Sequence, residues 1–353
     1  MLNIFGISPD DLTKELSETF PAYRSKQLID WIFKHQVFSP AQMSNLPADF
    51  KQYLTENYSC YFPEVAARLQ SKDGSVKFRL QLFDKQQVES VLIPEGKKNT
   101  LCISSQVGCA RKCTFCSTAQ MGMIRNLTSD EIVTQILHGN RACKDQDQKP
   151  SVTIKREALP HITNLVFMGM GEPMDNLDNV LNSLRIIQAD NTLAFSPRRT
   201  TVSTCGVVPG IIRFADSGVK SKLAISLNSA IDAKRDVLMP INKKYPLNEL
   251  KQAMLYYLRK SNFRITIEYI LIAGENMGKE DLNALRKFVG DISCKINFIP
   301  LNPGSSQGYT APTQQQVDDF MHQAQTLPQA ITLRKSRGAD VYGACGQLRI
   351  NKN

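Results

Sequence analysis

The sequence predicts an α/β protein: a partial six-stranded (β/α)6 barrel preceded by a helical module and a small antiparallel β extension. Three observations carry this. Apolar residues stand three or four apart before residue 60, they alternate in twos beyond residue 64, and strand-like runs then alternate with helical ones from residue 98. The corresponding units are 1–60, 61–97 and 98–353.

The first unit reads as short helices over Pro9 to Leu16, Tyr23 to Lys34 and Ala48 to Leu54, with Leu28, Ile29, Ile32 and Phe33 as one buried stripe. Trp31 lies beside that stripe and is read as packed, not as a stacking surface for a base. In the second unit Val76, Phe78, Leu80 and Leu82 alternate with Lys77, Arg79 and Gln81 after an Asp73-Gly74 turn. A second strand runs from Val88 to Ile93 and stops at Pro94.

Six barrel strands are expected at Thr100 to Ser105, Ile162 to Met168, Thr200 to Cys205, Lys222 to Leu227, Ile265 to Ile272 and Lys295 to Ile299. Helical periods separate them, as in Leu177, Val180, Leu181, Leu184 and Ile187, or Leu250, Ala253, Met254 and Tyr257. Too few clear units remain for a closed eight-stranded barrel, and Ala330 to Arg334 is read as an edge strand. Thr128-Ser129-Asp130-Glu131 has the form of a capping box at the start of a helix.

The narrowest chemical constraint is Cys109, Cys113 and Cys116, a C-x3-C-x2-C run that leaves the first barrel strand. Three thiolates hold three corners of one [4Fe-4S] cube and leave the fourth iron open. Structural zinc, which wants four protein ligands, and unligated thiols are the alternatives; the next cysteine is Cys143, and His35, His138, His161 and His322 do not cluster. The spacing also matches radical S-adenosylmethionine enzymes, in which S-adenosylmethionine chelates the open iron. Gly169-Met170-Gly171-Glu172-Pro173 follows the second barrel strand, where the glycines allow close backbone approach and Glu172 can accept from the ammonium of a methionine moiety. Ser203, Ser226, Asn228 and Asn302 end later strands and suit ribose, carboxylate or adenine recognition; caps and turns are the alternative reading.

Nine unevenly spaced cysteines without a secretory h-region fit a reducing compartment, and the cytoplasm is the expected location. No apolar run approaches the roughly 20 residues that span a membrane. A net charge of +10 favours a polyanionic partner. Arg111-Lys112, Arg125, Arg198-Arg199, Lys243-Lys244 and Arg334-Lys335-Ser336-Arg337 are the candidate phosphate holders.

The chain resembles the RlmN/Cfr family of radical S-adenosylmethionine RNA methyltransferases, nearest its RlmN branch. The resemblance is carried by Val88-Glu89-Ser90-Val91 before Ile93-Pro94, by Leu101 to Gly108 leading into the three cysteines, by Gly169 to Pro173, by Pro240-Ile241-Asn242-Lys243-Lys244-Tyr245, and by Ala344-Cys345-Gly346-Gln347-Leu348. It implies methylation of adenine C2 in 23S ribosomal RNA and in transfer RNA at adenine 37, with RNA engaged by the first two units and the basic rim. It further implies one [4Fe-4S] cluster, two S-adenosylmethionine molecules consumed per methylation, an electron donor such as flavodoxin, a thiol reductant, no membrane and a monomer. Cys345 would accept a methyl group, a 5'-deoxyadenosyl radical would remove hydrogen from it, and the carbon radical would add to C2. Cys102 would then attack the Cys345 sulfur and release the RNA as a disulfide forms, and Glu89 would assist proton movement.

Asn228 stands where relatives commonly carry histidine, which points to tuning of contacts, and Cys205 is assigned no catalytic role. Two other functions are weighed. A related branch methylates C8; Pro173 and Arg334-Lys335-Ser336-Arg337-Gly338 match the C2 branch instead. A non-catalytic iron-sulfur RNA-binding protein would use the same basic surface without Cys102 or Cys345.

Overall fold

A computed structural model describes residues 1–148, 161–302 and 308–350. Ten strands form one sheet whose spatial order follows the chain. They are β1 (Glu64–Gln70), β2 (Val76–Gln81), β3 (Gln87–Glu95), β4 (Lys98–Cys102), β5 (Asn164–Phe167), β6 (Thr200–Thr204), β7 (Lys222–Ser226), β8 (Ile265–Leu271), β9 (Cys294–Pro300) and β10 (Ala330–Leu333). β1 to β4 pair antiparallel through short turns. From β4 onward every neighbouring pair is parallel, because a helix intervenes each time and returns the chain to the same end of the sheet.

The helices lie where the periodicity puts them, and their apolar stripes are the buried residues. Leu177–Gln188 buries Leu177, Val180, Leu181, Leu184 and Ile187; Leu247–Lys260 buries Leu250, Ala253, Met254 and Tyr257. Each such side chain contributes about 1.5–3 kcal/mol by leaving water, so truncating Leu184 to Ala would cost about 2–5 kcal/mol. All seven residues of β8 are buried, as in a strand covered by helices on one face and enclosed by the barrel on the other. The fold is therefore the expected partial barrel with helical and antiparallel additions, and β10 is the edge strand that Ala330 to Arg334 foretold.

Four details differ from the expectation. β1 was not foreseen, because its residues are exposed or half-buried on both faces and show no alternation. Lys77 on β2 is buried, not solvated, and faces Glu89 on β3 with Nζ–Oε1 3.0 Å. The helix from Tyr23 ends at Asp30 and continues as a wider π turn over Trp31–His35; the added residue lets Ile32 and Phe33 both reach the core beside Leu28 and Ile29. The first barrel strand ends at Cys102, and Gln106–Gly108 instead pairs antiparallel with Met123–Asn126.

That ribbon clasps the loop bearing the three cysteines. Gly108 has φ +80°, and a Cβ there would lie 1.9 Å from the Gly122 carbonyl oxygen, so no other residue fits immediately before Cys109. The Cys109 amide donates to the same oxygen at 2.8 Å. Beyond the loop the Thr128 amide donates to Glu131 at 3.0 Å, completing one half of the capping box that starts Ser129–Gln148.

The N-terminal helices Pro9–Leu16, Tyr23–Asp30 and Ala48–Asn57 pack around Leu12, Leu16, Leu28, Phe50 and Leu54. They dock on the barrel through Ser129–Gln148: Arg141 lies over the rings of Phe38 and Phe62, and His138 Nε2 donates to the Pro63 carbonyl at 2.8 Å. Trp31 is half-buried and donates from Nε1 to Asn45 at 2.6 Å, with His35 against its ring, consistent with packing.

Candidate active site

Parallel β/α units collect their loops at the C-terminal ends of the strands, and a cavity opens there. Cys109, Cys113 and Cys116 form one wall. The facing wall is built from the ends of successive strands: Gly169, Gly171 and Glu172 after β5, Ser203 and Thr204 of β6, Ser226 and Asn228 at the end of β7, Glu268 and Ile270 of β8, and Ile299 of β9.

Burial pushes the Cys109 thiol up to about 12 and raises Cys113 and Cys116 as well. The buried Arg235 guanidinium opposes the rise at Cys113. Its donors go to the carbonyls of Leu227, Cys205 and Ser226 and to Asn242 Oδ1, which explains the Pro240-Ile241-Asn242 motif as a brace for this cation. Among the described residues no three His, Cys, Asp or Glu side chains converge tightly enough for a single ion. Zinc with ligands at about 2.3 Å needs such convergence. A cube does not, because each thiolate serves a different iron, and the three thiols around one cavity fit that group.

The glycine loop fits tightly. Gly171 has φ +99°, and a Cβ on it would meet Gln106 at 2.6 Å. Gln106 Oε1 accepts the Glu172 amide at 2.8 Å, and the Glu172 carboxylate accepts the amides of Met174 at 3.0 Å and Cys205 at 2.8 Å. Burial raises the Glu172 carboxyl pKa, while those bonds favour the ionised form. Met170 is fully buried and turned away from the cavity, and its carbonyl is occupied by the amides of Ser105 and Gln106.

Asn228 lines the cavity with φ +58°, yet its side chain is engaged: Oδ1 accepts the Ile270 amide at 2.9 Å and Nδ2 lies 3.1 Å from the Met239 sulfur. Asn302 lies outside the lining and donates from Nδ2 to the Cys345 carbonyl at 3.2 Å. Two of the suggested phosphate holders are already neutralised. Arg111 forks onto Asp175, and Arg125 binds both Asp84 and Glu131, so neither offers a free charge.

Cys345 comes to the same place from the far end of the chain. Its segment is held on every side: Ser71 Oγ and the Lys72 amide donate to Asp340, the Gly338 amide donates to Asp73, and Lys77 Nζ reaches the Tyr342 carbonyl. Past the cysteine, Gly346 and Leu348 carbonyls accept from the Ser117 amide and Thr118 Oγ1, and the Arg349 amide donates to Glu89. Cys345 is open to the cavity but enclosed elsewhere, and that burial pushes its thiol up to about 11. Cys102, at the end of β4, is raised to about 12 by burial and then by Cys345, while Arg334 lowers both thiols.

A second cavity adjoins the first, sharing Met168, Ile299, Arg334, Cys345 and Leu348. Cys102 lies on its wall with Lys98, Lys295, Lys335 and Arg337. Cys345 thus stands between a cavity faced by the three loop cysteines and a cationic one. Glu268 was missed by sequence reasoning: it is buried, Oε1 accepts from Asn297 at 3.0 Å, and Oε2 has no hydrogen-bond partner among the described residues. Its only signal was a charged residue inside an otherwise apolar strand.

The chain matches the radical SAM superfamily over residues 103–289. It is 40% identical over 356 residues to a dual-specificity RNA methyltransferase RlmN of Desulfotalea psychrophila (strain LSv54 / DSM 12343), covering 99% of this chain and 96% of that one. To the protein of the same name in Geobacter sulfurreducens (strain ATCC 51573 / DSM 12127 / PCA) it is 41% identical over 350 residues, covering 99% and 92%. The crystal structure of a radical SAM methyltransferase from Sphaerobacter thermophilus superposes with a TM-score of 0.91 at 32% identity over 99% of each chain.

Proposed function

The chain belongs to the RlmN family of radical SAM RNA methyltransferases, and we infer from this that it methylates C2 of adenine in 23S ribosomal RNA and in transfer RNA at adenine 37. The observation that carries the reading is the convergence of Cys102, Cys345 and the three loop cysteines on two adjoining cavities. An RNA-binding protein merely stabilised by a cluster has no use for the two distant thiols. Pro173, which opens the turn Pro173–Asn176 below Glu172, and the Arg334 to Gly338 run favour C2 over C8.

Family membership implies an iron-sulfur cluster and S-adenosylmethionine. We assign one [4Fe-4S] cluster to Cys109, Cys113 and Cys116; with S-adenosylmethionine bound it supplies the electron and the radical that activate a methyl group, so that two S-adenosylmethionine molecules are consumed per methylation. Gly169, Gly171 and Glu172 orient the methionine end, and Ser203, Ser226 and Asn228 face the nucleoside end. Cys345 carries the methyl group on sulfur, and Asn302 holds its backbone. Cys102 loses its proton and attacks the Cys345 sulfur; the bond between that sulfur and the methyl-derived carbon breaks, its electron pair goes to that carbon, which takes up a proton to become the methyl group, and a disulfide forms. A thiol reductant reopens the disulfide with two electrons.

Glu89 holds or receives a proton near the substrate. A flavodoxin-type donor feeds the cluster, the N-terminal helices and antiparallel extension help to grip RNA, and the enzyme works as a cytoplasmic monomer. Among the described residues no helix is long and apolar enough to cross a membrane.

Iron and sulfide analysis with Mössbauer spectroscopy on anaerobically purified protein tests the cofactor assignment. One [4Fe-4S] cluster with a unique iron that responds to S-adenosylmethionine is expected. Four-thiolate ligation, or native zinc without reductive cleavage, would overturn it.

A further inference from the structure

Five cations gather at the other end of the barrel, where strands begin. Arg198 and Arg199 form the turn just before β6, Lys222 opens β7, Arg264 immediately precedes β8, and Lys295 is the second residue of β9. The pairing brings them together: Thr201 lies opposite Lys222, Ala224 opposite Thr266, and Thr266 opposite Lys295. Side chains alternate along a strand, so their direction can be read from residues already located. Ser226 and Ile299 face the cavity of the cysteine loop, and steps of two back along β7 and β9 reach Lys222 and Lys295. Lys222 and Lys295 therefore point to the barrel interior, and Arg198, Arg199 and Arg264 stand exposed at its mouth.

None of the five makes an ion pair among the described residues; Arg199 has only a 3.3 Å bond to Asn164 Oδ1. Lys222 is half-buried. Burial and then the charges of Lys295, Arg199, Arg264 and Arg198 hold the Lys222 ammonium below its usual pKa. Glu268 lies near Lys295 and Arg334 and offsets part of one charge only. Such a group is stabilised by an incoming anion. Four adjacent strands at about 4.8 Å spacing spread the cations over about 14 Å, too wide for one phosphate and suited to successive phosphodiesters. Lys295 also lines the cationic cavity that holds Cys102 and Cys345, so the positive track continues to the reactive thiols.

We propose that Arg198, Arg199, Lys222, Arg264 and Lys295 form a binding site for consecutive RNA phosphates at the N-terminal mouth of the barrel. The RNA strand thus approaches Cys345 from the end opposite the cysteine loop. The proposal rests on the RNA-methylating function above and adds the route by which the strand enters.

The test uses holoenzyme and a labelled ribosomal RNA fragment containing the target adenine. Affinity is measured across a salt series for the wild type, Arg199→Gln/Lys222→Gln, the charge-conserving Arg199→Lys/Lys222→Arg, and Lys279→Gln/Lys287→Gln on the outer helix Lys279–Val289 as an equal-charge control. S-adenosylmethionine cleavage without RNA reports on folding and cluster loading. The neutralised pair should bind RNA at least about tenfold more weakly, with a salt slope lower by about 1.4, while RNA-free cleavage stays unchanged. The charge-conserving pair and the control should bind as the wild type does. Unchanged affinity and slope in the neutralised pair, or an equal loss in the control, would overturn the proposal. Wild-type protein that binds RNA but never methylates it would instead refute the proposed function, leaving the binding comparison to decide the phosphate site.

Discussion

The Glu89 carboxylate accepts the backbone N–H of Arg349 at 3.1 Å, so a buried acid on β3 fixes the chain just past Cys345. The other oxygen of Glu89 pairs with Lys77, whose ammonium also reaches the Tyr342 carbonyl ahead of Cys345. The antiparallel extension is thus a frame that grips the Cys345 segment on both sides.

Replacing Lys77 by Ala strips the nearest cation from a buried carboxylate and leaves Arg79 at 3.5 Å as its remaining partner. A loss of about 3 kcal/mol in urea unfolding is expected. Glu89→Gln retains an acceptor for Arg349 but no carboxylate. It should keep the C-terminal segment protected in hydrogen exchange while methylation falls at least about a hundredfold. Full activity in Glu89→Gln would reduce Glu89 to a docking residue.

Cys102→Ala should accumulate a covalent enzyme–RNA adduct on denaturing gels with labelled RNA, since nothing attacks the Cys345 sulfur. Cys345→Ala should form none. Wild-type product yields from either variant would reject the assigned roles.

Burial holds the Cys102 thiol up to about 12, so only a small thiolate fraction exists at neutral pH. Adduct release, followed by rapid quench after a single turnover, should therefore speed up by about tenfold per pH unit between pH 7 and 9. Arg334→Gln removes the cation that favours the thiolate and should slow release at every pH. A flat profile would mean that deprotonation of Cys102 does not limit this step.

His138 is buried against Phe62, and burial lowers its pKa to about 4. The folded pKa lies below the unfolded value of about 6.5, so the folded state favours the neutral ring. Its contribution is complete above pH 6.5 and is lost as pH falls from 6.5 towards 4, to a total of about 3 kcal/mol. Urea unfolding of the wild type at pH 7 and pH 5 should show about 2 kcal/mol of this loss, and His138→Gln should flatten it. Equal slopes in the two proteins would exclude His138 as the cause.

Strands and helices with one buried face were legible because their apolar period is set by local geometry: Leu177 to Ile187 reads as a helix before any contact is known. β1 was not, since neither face of Glu64–Gln70 is buried and it is held by pairing with β2. The three loop cysteines, the glycine loop and Cys345 were legible from spacing and resemblance. Side-chain pairing was not, because it depends on register: Lys77 faces a buried carboxylate, Arg125 is spent on Asp84 and Glu131, and Met170 turns to the core. Arg198-Arg199 was recognised as basic, but only the strand order joins it to Lys222, Arg264 and Lys295.

The identity of the modified carbon tests the central claim most directly. Reduced holoenzyme with labelled S-adenosylmethionine is given ribosomal RNA and, separately, transfer RNA bearing adenine 37, and the digested nucleosides are compared by mass spectrometry with 2-methyladenosine and 8-methyladenosine standards. The expected product is 2-methyladenosine in both RNAs. Exclusive 8-methyladenosine would contradict the C2 assignment, and ribosomal product without transfer RNA product would contradict the dual specificity.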